Sequence, residues 1–333
     1  MDQFWKNKKI LITGGAGFIG SHLADNLVSL GSDVTIVDNL ERGSWKAIEK
    51  LASKIRFLKN DLSKKEHCKK VFSHEYDVVI HMASKVGGIG YYTSKPFEVI
   101  QKMLQVDSNV LESVIEKKIP RYFYASSAHV YPIELQGSPE SLAIKETQAY
   151  PANPELSYGW AKLIAEKQIQ YVTQQYPNLR VAIARYIGIY GPGQDYELET
   201  GSVIPVFTHR AIKHPEIPFS VWGTGKETRS YCFIDDAVDC TKLMIEKMEE
   251  KKVVGPFNVG KQERVSIADI AEKIINISKK DIKIEYDVTK ETKIWGQLCD
   301  CSLAKLELDG WVATTSFEDG LKKVYLDIME RMQ

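Results

Sequence analysis

The sequence predicts an α/β protein, in which a doubly wound parallel sheet carries a smaller α/β substrate-binding domain. Three observations predict it. Short apolar runs of strand length, at residues 9–13, 33–37, 55–58, 77–80 and 122–125, alternate with stretches of helical period near 64–74 and 96–118. Such alternation implies right-handed crossovers, hence a parallel sheet with helices on both faces. The first run leads directly into Gly14-Gly15-Ala16-Gly17-Phe18-Ile19-Gly20 and a helical stretch to about Leu30, and the second ends at Asp38. Strand, glycine turn, helix and an acid about 20 residues on together describe a Rossmann-type dinucleotide crevice.

In order along the chain, Gly14 permits the tight turn, Gly17 lets the backbone approach a pyrophosphate, and Gly20 lets helix pack on strand. The phosphates would lie at the helix N-terminus, beside Phe18 and Ile19. Asp38, with Asn39 after it, would hold the adenosine ribose hydroxyls and repel a 2′-phosphate, so NAD is expected over NADP. Arg42 follows in the same loop, where it either softens that preference or is simply exposed. Asp61 and Leu62 after the third strand, and Met82, Ala83 and Ser84 after the fourth, fall at the carboxyl ends of the strands, where ligands bind in such sheets. The 96–118 helix carries a broad apolar stripe of Val99/Ile100, Met103/Leu104, Val110/Leu111 and Val114/Ile115, read as core with part available for a subunit interface.

The 333 residues, 44% hydrophobic and 10% aromatic, suffice for a large core in one composite domain or two intimate ones. With 44 basic and 44 acidic residues the formal charge is zero, and lysine pairs such as Lys69-Lys70 and Lys279-Lys280 are scattered. Neither nucleic acid nor an anionic membrane finds an electrostatic footprint, so the expected partner is a small molecule. No signal-peptide apolar region is present at the start, and no stretch approaches the ~20 apolar residues of a membrane span, so a soluble cytoplasmic protein is expected. Cys68, Cys232, Cys240, Cys299 and Cys301 are odd in number and spread out. They read as reduced thiols, and no second Cys or His pair near Cys299-Asp300-Cys301 completes a metal site, so no metal is expected.

Acid–base chemistry centres on Tyr158-Gly159-Trp160-Ala161-Lys162. Asn153-Pro154 reads as the N-cap and first position of a helix running to about Tyr176, and a Tyr and a Lys four apart then share one face. A phenol has an ordinary pKa of about 10, and a neighbouring cation favours the phenolate, bringing it toward the range useful for moving a hydroxyl proton. Taken alone, the pair also describes an amphipathic helix with a half-buried Tyr and a solvated Lys.

After the fifth strand comes Ser126-Ser127-Ala128-His129-Val130-Tyr131-Pro132. Together with Thr13-Gly14, Tyr158 and Lys162, Arg185-Tyr186, Tyr190-Gly191-Pro192, Gly223-Thr224-Gly225-Lys226-Glu227-Thr228-Arg229 and Gly310-Trp311, this makes the chain resemble an extended short-chain dehydrogenase/reductase of the nucleotide-sugar epimerase/dehydratase group. The likeness spans nearly the whole chain. It implies tightly bound NAD, with Ser127 orienting a sugar hydroxyl, Tyr158 handling its proton, Lys162 binding the cofactor ribose and Tyr186 flanking the nicotinamide; Ser126 is read as structural. It further implies that 1–185 is mainly NAD-binding and 186–333 mainly nucleotide-sugar-binding, with some segments returning to the first unit. The smaller unit would take strands near 218–222 and 256–259 and helices near 203–213 and 266–278. A homodimer would form through helices near 96–118 and 155–176.

Within this group the likeness runs to GDP-sugar enzymes, the GDP-mannose 3,5-epimerases above all, through Ser84-Lys85-Val86-Gly87-Gly88, the 124–132 segment and Ala149-Tyr150-Pro151-Ala152-Asn153-Pro154. It implies a GDP-sugar held by Val86, Gly87, Gly88, Ser127, His129, Ser202, Val203, Arg229 and Gln297. The departures are specific. His129 stands where those epimerases carry a Cys as one acid/base, Ser202 stands for the Lys expected as the other, and Gly188 replaces a substrate-contact Asn. Trp295-Gly296-Gln297 replaces an arginine-bearing segment, which leaves Arg229 as the diphosphate anchor. His129, with an ordinary pKa near 6.5, suits proton transfer, or else it is a hydrogen-bonded structural imidazole. Oxidation at C4 of a hexose would acidify the C3 and C5 protons. Removal by His129 and return on the other face gives a C3 or C5 epimer, whereas turning the ketone over gives a C4 epimer. Dehydration to a 4-keto-6-deoxy sugar ranks third, because Ala128 occupies the usual acid position and cannot donate a proton. A non-catalytic NAD-binding regulator is the reading from a different class, and the joint presence of Ser127, Tyr158 and Lys162 argues against it.

Overall fold

The computed structural model describes residues 2–85, 89–290 and 294–333. Strands β1 (Lys9–Thr13), β2 (Asp33–Asp38), β3 (Ile55–Lys59), β4 (Val78–His81), β5 (Arg121–Ser127), β6 (Arg180–Tyr186) and β7 (Val253–Val259) form one sheet in the order β7-β6-β5-β4-β1-β2-β3. Every neighbouring pair is parallel. The order reverses between β1 and β4, which opens a crevice at their carboxyl ends.

Side-chain alternation along the strands divides the core into two layers. Ile10 and Ile12 of β1 pack with Leu23, Ala24 and Leu27 of α1 (Phe18–Ser29). Leu11 faces the other way, into a layer with Val110 and Val114 of α2 (Pro96–Glu116) and Ile169 of α3 (Ser157–Gln175). Each such Ile, Leu or Val contributes about 1.5–3 kcal/mol when fully buried, and a slip of one residue would exchange the two sets, so the pattern fixes the register.

The expected strands of the large sheet are present, their ends moved by no more than two residues, but two readings are corrected. The 256–259 run belongs to the large sheet: as part of β7 it pairs with β6, Val259 against Tyr186. The helix Ile234–Lys247 supplies the crossover that a parallel addition requires, and Val254, Phe257 and Val259 fill the core. The second correction concerns Asn153-Pro154, which does not start α3. Pro154 bridges to Pro132 and Ile133 N–H donates to Asn153 O at 3.0 Å, so this stretch is extended and α3 begins at Ser157.

Beyond the sheet, Ser220–Trp222 pairs with Glu285–Asp287, and Thr228–Arg229 lies between Val265–Ser266 and Gly296–Gln297. Helices Val203–Lys213, Ile267–Ser278 and Phe317–Arg331 pack on one another, and their apolar faces continue the α1 layer of the core. Cys68, Cys232, Cys240 and Cys299 are buried free thiols, all pushed up by burial.

Candidate active site

A cleft of about 320 Å³ lies at the carboxyl ends of the strands around the β1/β4 reversal. Gly14, Gly17, Phe18, Ile19, Asp38, Asn39, Arg42, Asp61, Leu62, Met82, Ala83, Ser84, Tyr158, Lys162 and Tyr186 all line it. The turn demands its glycines. Gly14 has φ +67°, and a Cβ there would sit 2.7 Å from Ala83 Cα. At Gly20 a Cβ would meet Gly14 O at 2.4 Å, so helix α1 approaches the turn only without a side chain at that position.

Asp38 is buried at the cleft wall, where its carboxylate accepts N–H groups from Ala16 at 3.1 Å and Leu40 at 2.8 Å. Burial raises its pKa, and those backbone donors pull the other way. Gly43, which the sequence reading passed over, packs so closely that a Cβ would lie 2.9 Å from both carboxylate oxygens. Arg42 pairs with Asp195 at 3.3 Å across the cleft mouth. Lys102 was missed as well: it donates to Asp61 at 2.9 Å and Ser63 at 2.6 Å. Burial would raise Asp61, but these bonds leave it below the usual carboxylate range. The spacing i, i+3, i+7 of Val99, Lys102 and Val106 is the signal that this lysine shares an inward face.

At the inner end of the cleft, α3 and the turn after β5 are pressed together. Gly159 allows it, since a Cβ there would be 2.0 Å from His129 O. The contact sets the His129 ring edge-on to Tyr158, centroids 5.6 Å apart, and the Tyr92 and Tyr158 ring centroids lie 5.0 Å apart. Ser127 Oγ accepts the His129 N–H at 3.2 Å. Lys162, 2% exposed, donates to Ala125 O at 2.7 Å and lies 5.8 Å from the Tyr158 ring centroid.

The expected lysine effect on the phenol is not the dominant one here. Burial raises the Tyr158 pKa well above 10, Tyr92 adds to this, and the Ser127 and Ser84 hydroxyls oppose it. Burial also lowers the Lys162 pKa. His129 is lowered to about 4, by burial first and the Arg229 charge second, so near neutrality it is a neutral imidazole. Ser126 is structural: its hydroxyl donates to Glu166, which also takes two bonds from Arg185, at 3.0 and 2.7 Å.

The residues expected for the sugar nucleotide are more dispersed. Val86, Gly87 and Gly88 lie outside the described residues. Ser202 is exposed at the start of Val203–Lys213, within 3.4 Å of Gln194 Nε2, and neither it nor Val203 lines the cleft. Gln297 is buried, its amide spent on Gln136 at 3.0 Å, because its short strand pairs beside Thr228–Arg229. Arg229 donates to Thr228 O at 2.8 Å and Ile294 O at 2.9 Å. Burial lowers its pKa, while Tyr231, Glu227 and Glu155 act the other way.

A family model described as the NAD dependent epimerase/dehydratase family matches residues 10–260. The chain belongs to this family. Over its whole length this family member is 31% identical to GDP-mannose 3,5-epimerase 1 of Oryza sativa subsp. indica, covering 85% of that protein. It is 32% identical to UDP-N-acetyl-alpha-D-glucosaminuronate decarboxylase of Bacillus cytotoxicus, over 84% of this chain and 83% of the other. Among solved structures, UDP-glucose 4-epimerase of Thermotoga maritima with UDP-glucose superposes with a TM-score of 0.87 at 26% identity, covering 97% of this chain and 99% of that one. The protein is thus an epimerase/dehydratase-family enzyme whose cofactor is NAD. The cleft fits that cofactor: Gly14, Gly17 and Gly20 line it without side chains, the N-terminus of α1 lies at it, and the Asp38 carboxylate is fixed by backbone donors. When bound, NAD would supply a reversible hydride acceptor.

Proposed function

We propose that this enzyme epimerises a GDP-hexose at C3, C5 or both, by way of a transient 4-keto sugar. The observation that carries the proposal is the contact of His129 with Tyr158, which sets a neutral imidazole beside the phenol in a family where the phenol handles the C4 hydroxyl proton. Tyr158, as the phenolate that the Lys162 charge favours against the effect of burial, takes the proton from the C4 hydroxyl, and Ser127 orients that hydroxyl. His129, neutral at working pH, accepts the proton that the ketone acidifies at C3 or C5. Return of a proton to the opposite face inverts the carbon. Ser202 is exposed and a weak acid, so water delivers that proton or only one carbon is inverted. Arg229 anchors the diphosphate. Full-length similarity to GDP-mannose 3,5-epimerases supports the nucleotide and the carbons.

A second reading, UDP-sugar C4 epimerisation, draws on the superposition with UDP-glucose 4-epimerase and on the low basicity of His129. Incubation with GDP-, UDP- and dTDP-hexoses and NMR of the products separates the two: turnover restricted to UDP-sugars, with inversion at C4, would sink the first reading. Binding of NAD without turnover of any sugar would instead favour a regulator.

The oligomer is part of the proposal. The neighbouring helices α2 and α3 expose Phe97, Trp160, Ile164 and Tyr171, and pairing of these faces in a homodimer would cover them. No helix among the described residues is long and apolar enough to cross a membrane, and cytoplasmic residence accords with the buried free thiols.

A further inference from the structure

Beneath the cleft runs a buried polar chain that the chemistry above does not use. Its centre is Asp107, on the inward face of α2 and 2% exposed. One carboxylate oxygen is 2.9 Å from His81 Nε2, and the other accepts the Tyr124 hydroxyl at 2.9 Å. His81 Nδ1 is 2.6 Å from Thr13 Oγ1, which accepts the Ala83 N–H at 3.1 Å. One protonation pattern satisfies every group: a neutral His81 donating from Nε2 to Asp107, and Thr13 donating to Nδ1. Burial, opposed by Asp107, lowers the His81 pKa and favours the same neutral form.

Asp107 is therefore a buried carboxylate whose bonded partners are both neutral. Lys162 is the complementary case, a buried ammonium bonded to a carbonyl and in no ion pair among the described residues. Tyr124 stands between them, with its hydroxyl on Asp107 and its ring face 4.7 Å from Lys162 Nζ. Donating to an ionised acceptor enriches the ring in electron density, and a cation over that ring, out of water, is held more strongly.

We infer that Asp107 is a positioning residue for the reaction: it is the buried counter-charge that keeps Lys162 an ammonium, acting across the Tyr124 ring. The groups facing Lys162 are Asp107 from α2, His81 from β4, Tyr124 from β5, and Tyr158 and Glu166 from α3. Glu166 is already matched by the Arg185 guanidinium, so Asp107 supplies the unmatched negative charge. The same carboxylate, through His81 and Thr13, ties the ends of β1 and β4 where Gly14 and Ala83 touch, so one residue anchors both the shape of the crevice and its charge.

The test reads the lysine itself, in the full-length protein, without any sugar. Lysine labelled with carbon-13 at Cε is titrated by NMR, and Lys162→Arg identifies its signal. Asp107→Asn, which keeps the shape, and Asp107→Ser, which removes the bulk, should each move the Lys162 midpoint down by at least about one unit. Tyr124→Phe, which keeps the charge and cuts the link, should move it down by less. A midpoint unchanged in a folded Asp107 variant overturns the inference and leaves Asp107 a structural residue. Should neither Asp107 variant fold, Tyr124→Phe decides: a lowered midpoint supports the link and an unmoved one overturns it.

Discussion

Burial opposes the Tyr158 phenolate that must take up the C4 hydroxyl proton, and the Ser127 and Ser84 hydroxyls beside it favour that ionised form. Tyr158→Phe keeps the ring that contacts His129 and Tyr92, so its melting transition should match the wild type. Hydride transfer, followed as NADH absorbance in single turnover, should fall at least ~10²-fold; an undiminished rate would make the Tyr158/Lys162 pair a mere helix face. His129 gives a pH-dependent stability. Its folded pKa lies below the ordinary 6.5, at about 4, so above 6.5 neither state binds the proton and its contribution is fully present. As pH falls from 6.5 toward 4 the unfolded chain takes up a proton that the folded form refuses, and stability is lost. Urea melts across that window should show a shallower loss in His129→Gln, with the residual slope left by His81, whose pKa is also lowered. On the proposed role of Asp38 in choosing the cofactor, and with Arg42 engaged by Asp195, calorimetry should give tighter binding of NAD than of NADP, and Asp38→Asn should narrow the gap. Tighter NADP binding by the wild type would mean that Arg42 outweighs the carboxylate.

The strand–glycine–helix element was legible because its chemistry is local: φ +67° at Gly14 and the contact at Gly20 are demands of the turn itself. The start of α3 was not. Asn153-Pro154 has the local form of a helix start, but the Pro132 bridge draws it into an extended arrangement that only the fold reveals. Gly159 belongs to the same lesson, since nothing in its neighbours in sequence announces that His129 O lies against it. Gly159→Ala should push α3 off the 128–130 turn, lowering stability by roughly 1–3 kcal/mol and reducing turnover through the shifted Tyr158. Thermal melts alongside initial rates check this, and a variant as stable as the wild type would show that the turn yields freely. On the outer side of the same helix, Ile164→Arg should dissociate the proposed homodimer in sedimentation; a wild type that is monomeric at micromolar concentrations would return that face to solvent.

For the molecule as a whole, the alternation of strands and helices carried the sheet, and the strand ends carried the cofactor cleft, because both follow from patterns within a few residues. The sugar side was less legible. The residues proposed for it come from the turn after β5, the short strand at Arg229 and the start of Val203–Lys213, which no local pattern brings together, and Gln297 turned inward to Gln136. The buried pair of Asp107 and Lys162 was hidden for the same reason, lying on different helices and joined only through Tyr124. What this assembly does to the ketone is decided at carbon. GDP-mannose turned over in heavy water should acquire deuterium at C3 or C5, read by mass spectrometry and proton NMR, and His129→Ala should abolish the label while hydride transfer to NAD remains measurable. Turnover without any deuterium on carbon would contradict the account and identify a C4 epimerase.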